Sequence, residues 1–234
     1  MGGFQNGLIT NTDQYPAQRL SSAIERFVSE FGDRNSLGRL VDVVDTSTQL
    51  TRGIVEQRPE TFTEKHLVVP GLKALGYSIH RERPGEYTAT GRSEPDFSIE
   101  TPHAQNPYIV EAKRIGNLPQ SVLPDDGEGS EQLQSYLEEG FSAKYRTDLD
   151  RRHLVGIATD GIYWLVFKKD LETGAIDRIG GASTESAVLE TVKAHRHPEE
   201  VSEQWRVDVR RRLEVEFVPE LSAENVAAAV EEIE

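Results

Sequence analysis

Cysteine is absent from this chain. That removes disulfides, thiolate metal sites and cysteine nucleophiles from the possible chemistries. Lysine is scarce: there are seven in 234 residues, so arginine supplies most of the 26 basic side chains. No stretch approaches the roughly 18 consecutive apolar residues that span a bilayer. The opening Met1-Gly2-Gly3-Phe4-Gln5-Asn6-Gly7 has neither a basic start nor a long apolar run, so no secretory signal is expected. Also missing are a Gly-x-x-x-x-Gly-Lys-Ser/Thr phosphate loop, an Asn-Pro-Pro-aromatic motif and a glycine-rich cofactor loop. A motor and a methyl-transfer centre are therefore not expected in this chain. The expectation is a soluble cytoplasmic protein without a membrane partner.

What is abundant is negative charge. Forty acidic residues against 26 basic ones leave a net charge of −14. Such a surface repels itself and stays soluble, as suits an ordinary acidic protein or one from a salt-loving organism. It is not the basic surface expected of a protein that binds nucleic acid unaided.

Apolar spacing predicts an amphipathic helix over 17–31, through Leu20, Ile24, Phe27, Val28 and Phe31. A weaker helical pattern covers 36–57. A third helix is predicted over 61–75, with Thr61 and Glu64 as a capping box, Pro70 as a kink and Gly76 as the stop. Tyr77–Arg83 and Glu86–Thr90 read as a hairpin across Pro84-Gly85. Strands are also predicted at Asp96–Ile99, Tyr108–Lys113, His153–Ala158 and Ile162–Lys168, with a short one near Ala175–Ile179. Asp160-Gly161 supplies a turn signal between two of these strands. A loop over 116–129 leads to a helix over about 131–145, and 184–195, 199–217 and 222–233 read as helices. The whole is an α/β chain. It divides into a helical extension over 1–60, a core over 61–182 and a helical segment over 183–234 that is suited to linking or partner docking.

The chemistry concentrates at residues 94–114. Asp96, after Glu94-Pro95, opens one predicted strand. Glu111 and Lys113 lie on the next, and their i, i+2 spacing puts them on one face. If those strands pair, two carboxylates and an ammonium meet among the apolar Ile109, Val110 and Ala112. Charges on a buried strand are costly unless they are paired or bound to a metal. A plain salt bridge on an open sheet face is the simpler alternative for Glu111 and Lys113. Hard divalent cations such as Mg²⁺ favour such oxygen ligands. A cation held there suits hydrolysis of a phosphodiester.

Several segments in the right order resemble the PD-(D/E)xK nucleases. More narrowly, they look like the N-terminal nuclease region of type I restriction subunits and of fused type II restriction-modification enzymes. The resemblance covers roughly residues 60–170. It is carried by Thr63–Tyr77 with its Leu-Gly-aromatic ending, Glu94-Pro95-Asp96-Phe97 and Val110-Glu111-Ala112-Lys113-Arg114. Gln132-Leu133-Gln134-Ser135-Tyr136 and Gly156–Gly161 with Trp164 complete it. The resemblance implies a restriction-endonuclease-like mixed-sheet core (αβββαβ) flanked by N- and C-terminal helices. It implies a magnesium-dependent DNA endonuclease, with Mn²⁺ able to substitute. Asp96, Glu111 and the Ala112 carbonyl would hold the metal, Glu64 would complete its site and Lys113 would be the catalytic lysine. Gln132 would act at the site, and Gln132 and Tyr136 would contact substrate.

The resemblance also implies DNA as partner, with methyltransferase, specificity or motor subunits supplied by other chains. The long acidic interval between Lys113 and Gln132 departs from the family's pattern. Two other readings stand beside the DNA nuclease: a non-catalytic assembly or regulatory subunit with this fold, and an RNA-directed nuclease. Elsewhere Tyr163 and Trp164 read as hairpin packing. Arg151-Arg152-His153 and Arg210-Arg211-Arg212 read as phosphate contacts or solvated charge, and His195-Arg196-His197 as a histidine pair lacking further ligands.

Overall fold

One apolar stripe at helical spacing sets the first element. Leu20, Ile24, Phe27, Val28 and Phe31 are all buried on α1 (Pro16–Asp33). The computed structural model describes residues 15–81, 96–100, 108–118, 137 and 152–231. The helical pattern over 36–57 forms two pieces, α2 (Leu37–Asp45) and α3 (Arg52–Val55). Ser47 has φ of 51°, a left-handed conformation that helices do not propagate. The segment between them crosses to the later loop, where Leu50 N–H donates to the Ile115 carbonyl at 2.9 Å.

The third helix starts earlier than its sequence suggests. α4 (Pro59–Thr63) begins with Pro59 in its first turn, where a fixed φ and a missing N–H carry no cost. Thr61 therefore lies inside the helix, and the capping-box reading of Thr61 and Glu64 is corrected. The chain continues through a π-helical segment (Glu64–Val68) into α5 (Val69–Ala74). Val69 N–H donates back five residues to the Glu64 carbonyl. This widened turn lies directly before Pro70, whose ring cannot donate and crowds the preceding turn. Phe62 anchors the run, with its ring 5.3 Å from that of Phe31 and 6.0 Å from that of Phe27. Gly76, at φ 94°, ends it as expected.

Six strands form one sheet in sequence order: β1 (Ser78–Arg81), β2 (Phe97–Glu100), β3 (Tyr108–Ala112), β4 (His153–Thr159), β5 (Tyr163–Asp170) and β6 (Ile176–Ser183). All neighbours are antiparallel except β3 and β4, which are parallel. β3 and β4 are buried along their whole length. That explains why their sequences read as near-continuous apolar runs. β6 is mostly exposed or half-buried, and its apolar signal is correspondingly short. The predicted hairpin partner Glu86–Thr90 and the predicted helix over 131–145 fall outside the described residues, apart from the buried Leu137.

The chain then forms α6 (Glu185–Arg196), α7 (Trp205–Arg212), a second π-helical segment (Leu213–Phe217), α8 (Val218–Leu221) and α9 (Ala223–Glu231). α6 and α7 pack on α1. The chain after α8 returns to the first strand. Tyr77 OH donates to the Leu221 carbonyl at 2.9 Å, and Ala223 N–H to the Leu75 carbonyl at 3.0 Å. One hydrophobic cluster runs from α1 through the sheet to α9.

Candidate active site

The site grows out of the β2–β3 register. Phe97 pairs with Val110 and Ile99 with Tyr108, so the next step along the ladder sets Asp96 opposite Glu111. One Asp96 carboxylate oxygen accepts the Ala112 N–H at 2.8 Å. Lys113 Nζ donates to Glu111 Oε1 at 2.5 Å. The parallel ladder to β4 is extended by one bond, from Lys113 N–H to the Thr159 carbonyl at 2.8 Å. Asp96, Glu111, Ala112 and Lys113 are thus gathered where β2 begins and β3 ends.

Glu111 is only 2% exposed, and its Oε2 is buried without a hydrogen-bond partner. Burial, then the nearby Asp96 carboxylate, pushes its pKa up to about 7, against the pull of Lys113. Burial works against the charge of Lys113, but the Glu111, Asp96 and Glu60 carboxylates outweigh it and hold the ammonium above its usual range. Glu111 is thus raised chiefly by its burial and next by the Asp96 charge, and Lys113 by the carboxylates around it. Three carboxylates act on one ammonium, and a buried acid carries one oxygen with no partner. That donor set of hard oxygens fits a divalent cation held by Asp96 and Glu111.

Glu60 was not singled out in the sequence. It stands in the first turn of α4, and its charge reaches both Glu111 and Lys113. The signal was Pro59, which marks the true helix start and puts Glu60 one turn before Glu64. Glu64 itself is buried in the widened turn at 7% exposure. Gln132 and Tyr136 lie outside the described residues.

Behind the site sits Asp160, which is fully buried. One carboxylate oxygen accepts the N–H groups of Gly116 and Leu118 at 3.0 and 3.3 Å, and the other those of Ile162 and Tyr163 at 3.0 and 2.8 Å. Burial nevertheless raises its pKa to about 6, against the lowering effect of those donors. Sequence marked Asp160 only as a turn residue. It joins the β4–β5 turn to the loop that follows Lys113. Trp164 packs as expected, with its indole N–H on the Gly161 carbonyl at 3.0 Å and its ring edge-on to Phe217.

Among the other flagged residues, His197 meets Glu199 and Glu200 rather than His195, with ligand atoms within 4.8 Å. That group is largely exposed, and Glu200 pairs with Lys193 at 3.6 Å. Arg212 pairs with Glu190 at 3.3 Å. No helix among the described residues is long and apolar enough to cross a membrane. Comparison of the chain with protein-family models, with curated proteins and with solved structures finds no match.

Proposed function

We propose that this chain is a magnesium-dependent endonuclease with a restriction-endonuclease-like core, acting on DNA as the cleaving part of a restriction or related defence system. The observation that carries the reading is the over-acidic cluster at the β2–β3 end, where the buried Glu111 meets Lys113 and Asp96 beside it and feels the charge of Glu60. A salt bridge alone needs one carboxylate. Here a second carboxylate, Asp96, stands opposite Glu111 on the neighbouring strand and a third, Glu60, adds its charge from α4, while Glu111 itself is buried with one unpartnered oxygen, an arrangement that is costly without a further positive charge.

Asp96 and Glu111 are the residues that would hold Mg²⁺, with the negative field of Glu60 adding to its retention. The bound metal would polarise the scissile phosphate and make a coordinated water more acidic. Lys113 stays protonated, so its role is that of a donor and a positive charge beside the phosphate rather than a base. The ladder bond from its own N–H to Thr159 fixes where its side chain begins. Preorganised charge of this kind is worth most in a water-poor site.

The test is supercoiled plasmid incubated with Mg²⁺, Mn²⁺ or EDTA across low to high KCl, with Lys113→Ala and Asp96→Ala alongside. Metal-dependent nicking that falls by about 10² to 10³ in each variant is expected. A folded protein that binds no metal and never cuts would leave the non-catalytic subunit as the better reading.

A further inference from the structure

The net charge of −14 raises the question of how such a molecule could hold a polyanion. Among the described residues, one groove inverts that sign. It lies between α1 and the run from the π-helical segment into α5, and encloses about 1010 Å³. Four cations line it, Arg19, Arg26, Lys65 and Lys73, with one carboxylate, Glu25. Two of the chain's seven lysines are therefore spent here.

None of the four cations makes an ion pair with a described carboxylate, although elsewhere Arg34, Arg206, Arg212, Lys113 and Lys193 all do. Glu25 is itself drawn away, since Arg206 binds both its oxygens at 3.2 Å. Arg19 Nε is buried without a hydrogen-bond partner. Arg26, Lys65 and Lys73 are exposed. Lys65 acts on Glu30 only at a distance, and on a chain with an excess of acids four cations in one trough without a described ion pair are the reverse of what chance pairing would produce.

Their layout selects the ligand. Arg19 and Arg26 are seven residues apart on α1, about 10 Å along its axis, and Lys65 and Lys73 are eight apart, about 12 Å. A lone phosphate needs donors converging on one point. Two rows of cations facing across an open trough suit a ligand with repeated charges. The same helical run bears Glu60 and Glu64, so the groove and the acidic cluster share one support.

We propose that the groove between α1 and α5 is a phosphate-backbone track that holds nucleic acid through Arg19, Arg26, Lys65 and Lys73. This rests on the nuclease reading for the identity of its ligand. Each cation engaged with a phosphate should contribute about −0.9 to the slope of log affinity against log salt.

The experiment is fluorescence anisotropy with a labelled duplex of mixed sequence, in EDTA so that cleavage cannot interfere, from 25 to 400 mM KCl. The proteins are the full chain, the pairs R19Q/R26Q and K65Q/K73Q, and all four substitutions together. A polyglutamate peptide of matched charge competes in a second arm. The expected result is a slope less negative by about 2 for each pair and about 4 for the set, with binding at least tenfold weaker. Unchanged slopes in folded variants would overturn the proposal, as would no duplex binding by the full chain at 25 mM. Preference for the peptide over the duplex would also overturn it and point to a protein partner. Groove-dependent binding by a folded protein that binds no metal and never cuts plasmid would sink the catalytic reading and leave the track standing.

Discussion

Asp160 and Glu111 are two buried acids with opposite surroundings, and they should respond differently to pH and metal. Asp160 satisfies four backbone N–H groups. Its folded pKa of about 6 lies above its ordinary 3.8, so the native state binds more protons across that window. Stability should therefore fall as pH rises from about 4 to 6, by roughly 3 kcal/mol from this group. Asp160→Asn should flatten that dependence in denaturant titrations. At pH 7 it should cost about 1–3 kcal/mol, because its amide cannot accept from all four donors. Glu111, pushed up to about 7, must lose its proton before it can hold a cation. Thermal stabilisation by Mg²⁺ should accordingly grow between pH 6 and 8. Glu60→Gln should weaken Mn²⁺ or Mg²⁺ binding by roughly tenfold, as loss of one nearby charge worth about 1.4 kcal/mol would do. Calorimetric titration showing parental affinity would remove Glu60 from the site.

At the scale of elements, the loop leaving β3 is held from both sides, by Asp160 and by the segment between α2 and α3. Gly116 has φ of 87°, and a Cβ there would stand 2.3 Å from the Thr48 carbonyl oxygen. Gly161 has φ of 83°, but its added Cβ would meet Leu67 Cδ2 at 2.7 Å, a side chain that can move. Gly116→Ala should therefore cost roughly 3 kcal/mol or more and Gly161→Ala about half as much, both carrying the left-handed penalty. Urea unfolding distinguishes them, and equal losses would mean that the loop yields as easily as a leucine. The loop follows Lys113 directly, so Gly116→Ala should also depress cleavage in the protein that remains folded. Element positions were largely legible beforehand, because α1 carries an apolar stripe at helical spacing and β3, β4 and β5 are mostly apolar. The start of α4 was misread because Thr61-x-x-Glu64 imitates a cap, while Pro59 two residues earlier had already opened the helix.

For the whole molecule, the −14 charge acts as a diffuse repulsion that salt screens within about 10 Å at 0.1 M. Raising KCl from 0.1 to 2 M should raise the melting temperature by roughly 3–6 °C, about 1–2 kcal/mol for a chain of this length. A melting temperature that falls with salt would show instead that specific ion pairs outweigh the repulsion. If the groove is the proposed phosphate track, salt opposes binding there, so the proposed cleavage should pass through an optimum in KCl.

The sequence by itself determined the α/β class, most strand positions and the trio Asp96, Glu111 and Lys113. Strand alternation fixes which side chains share a face, and adjacent strands at short separation pair by default. Glu60, the Asp160 clamp and the cationic groove were decided only by the tertiary structure. Each depends on which face of one element meets another distant in the chain, and helix start, burial and pairing are set by packing rather than by local pattern.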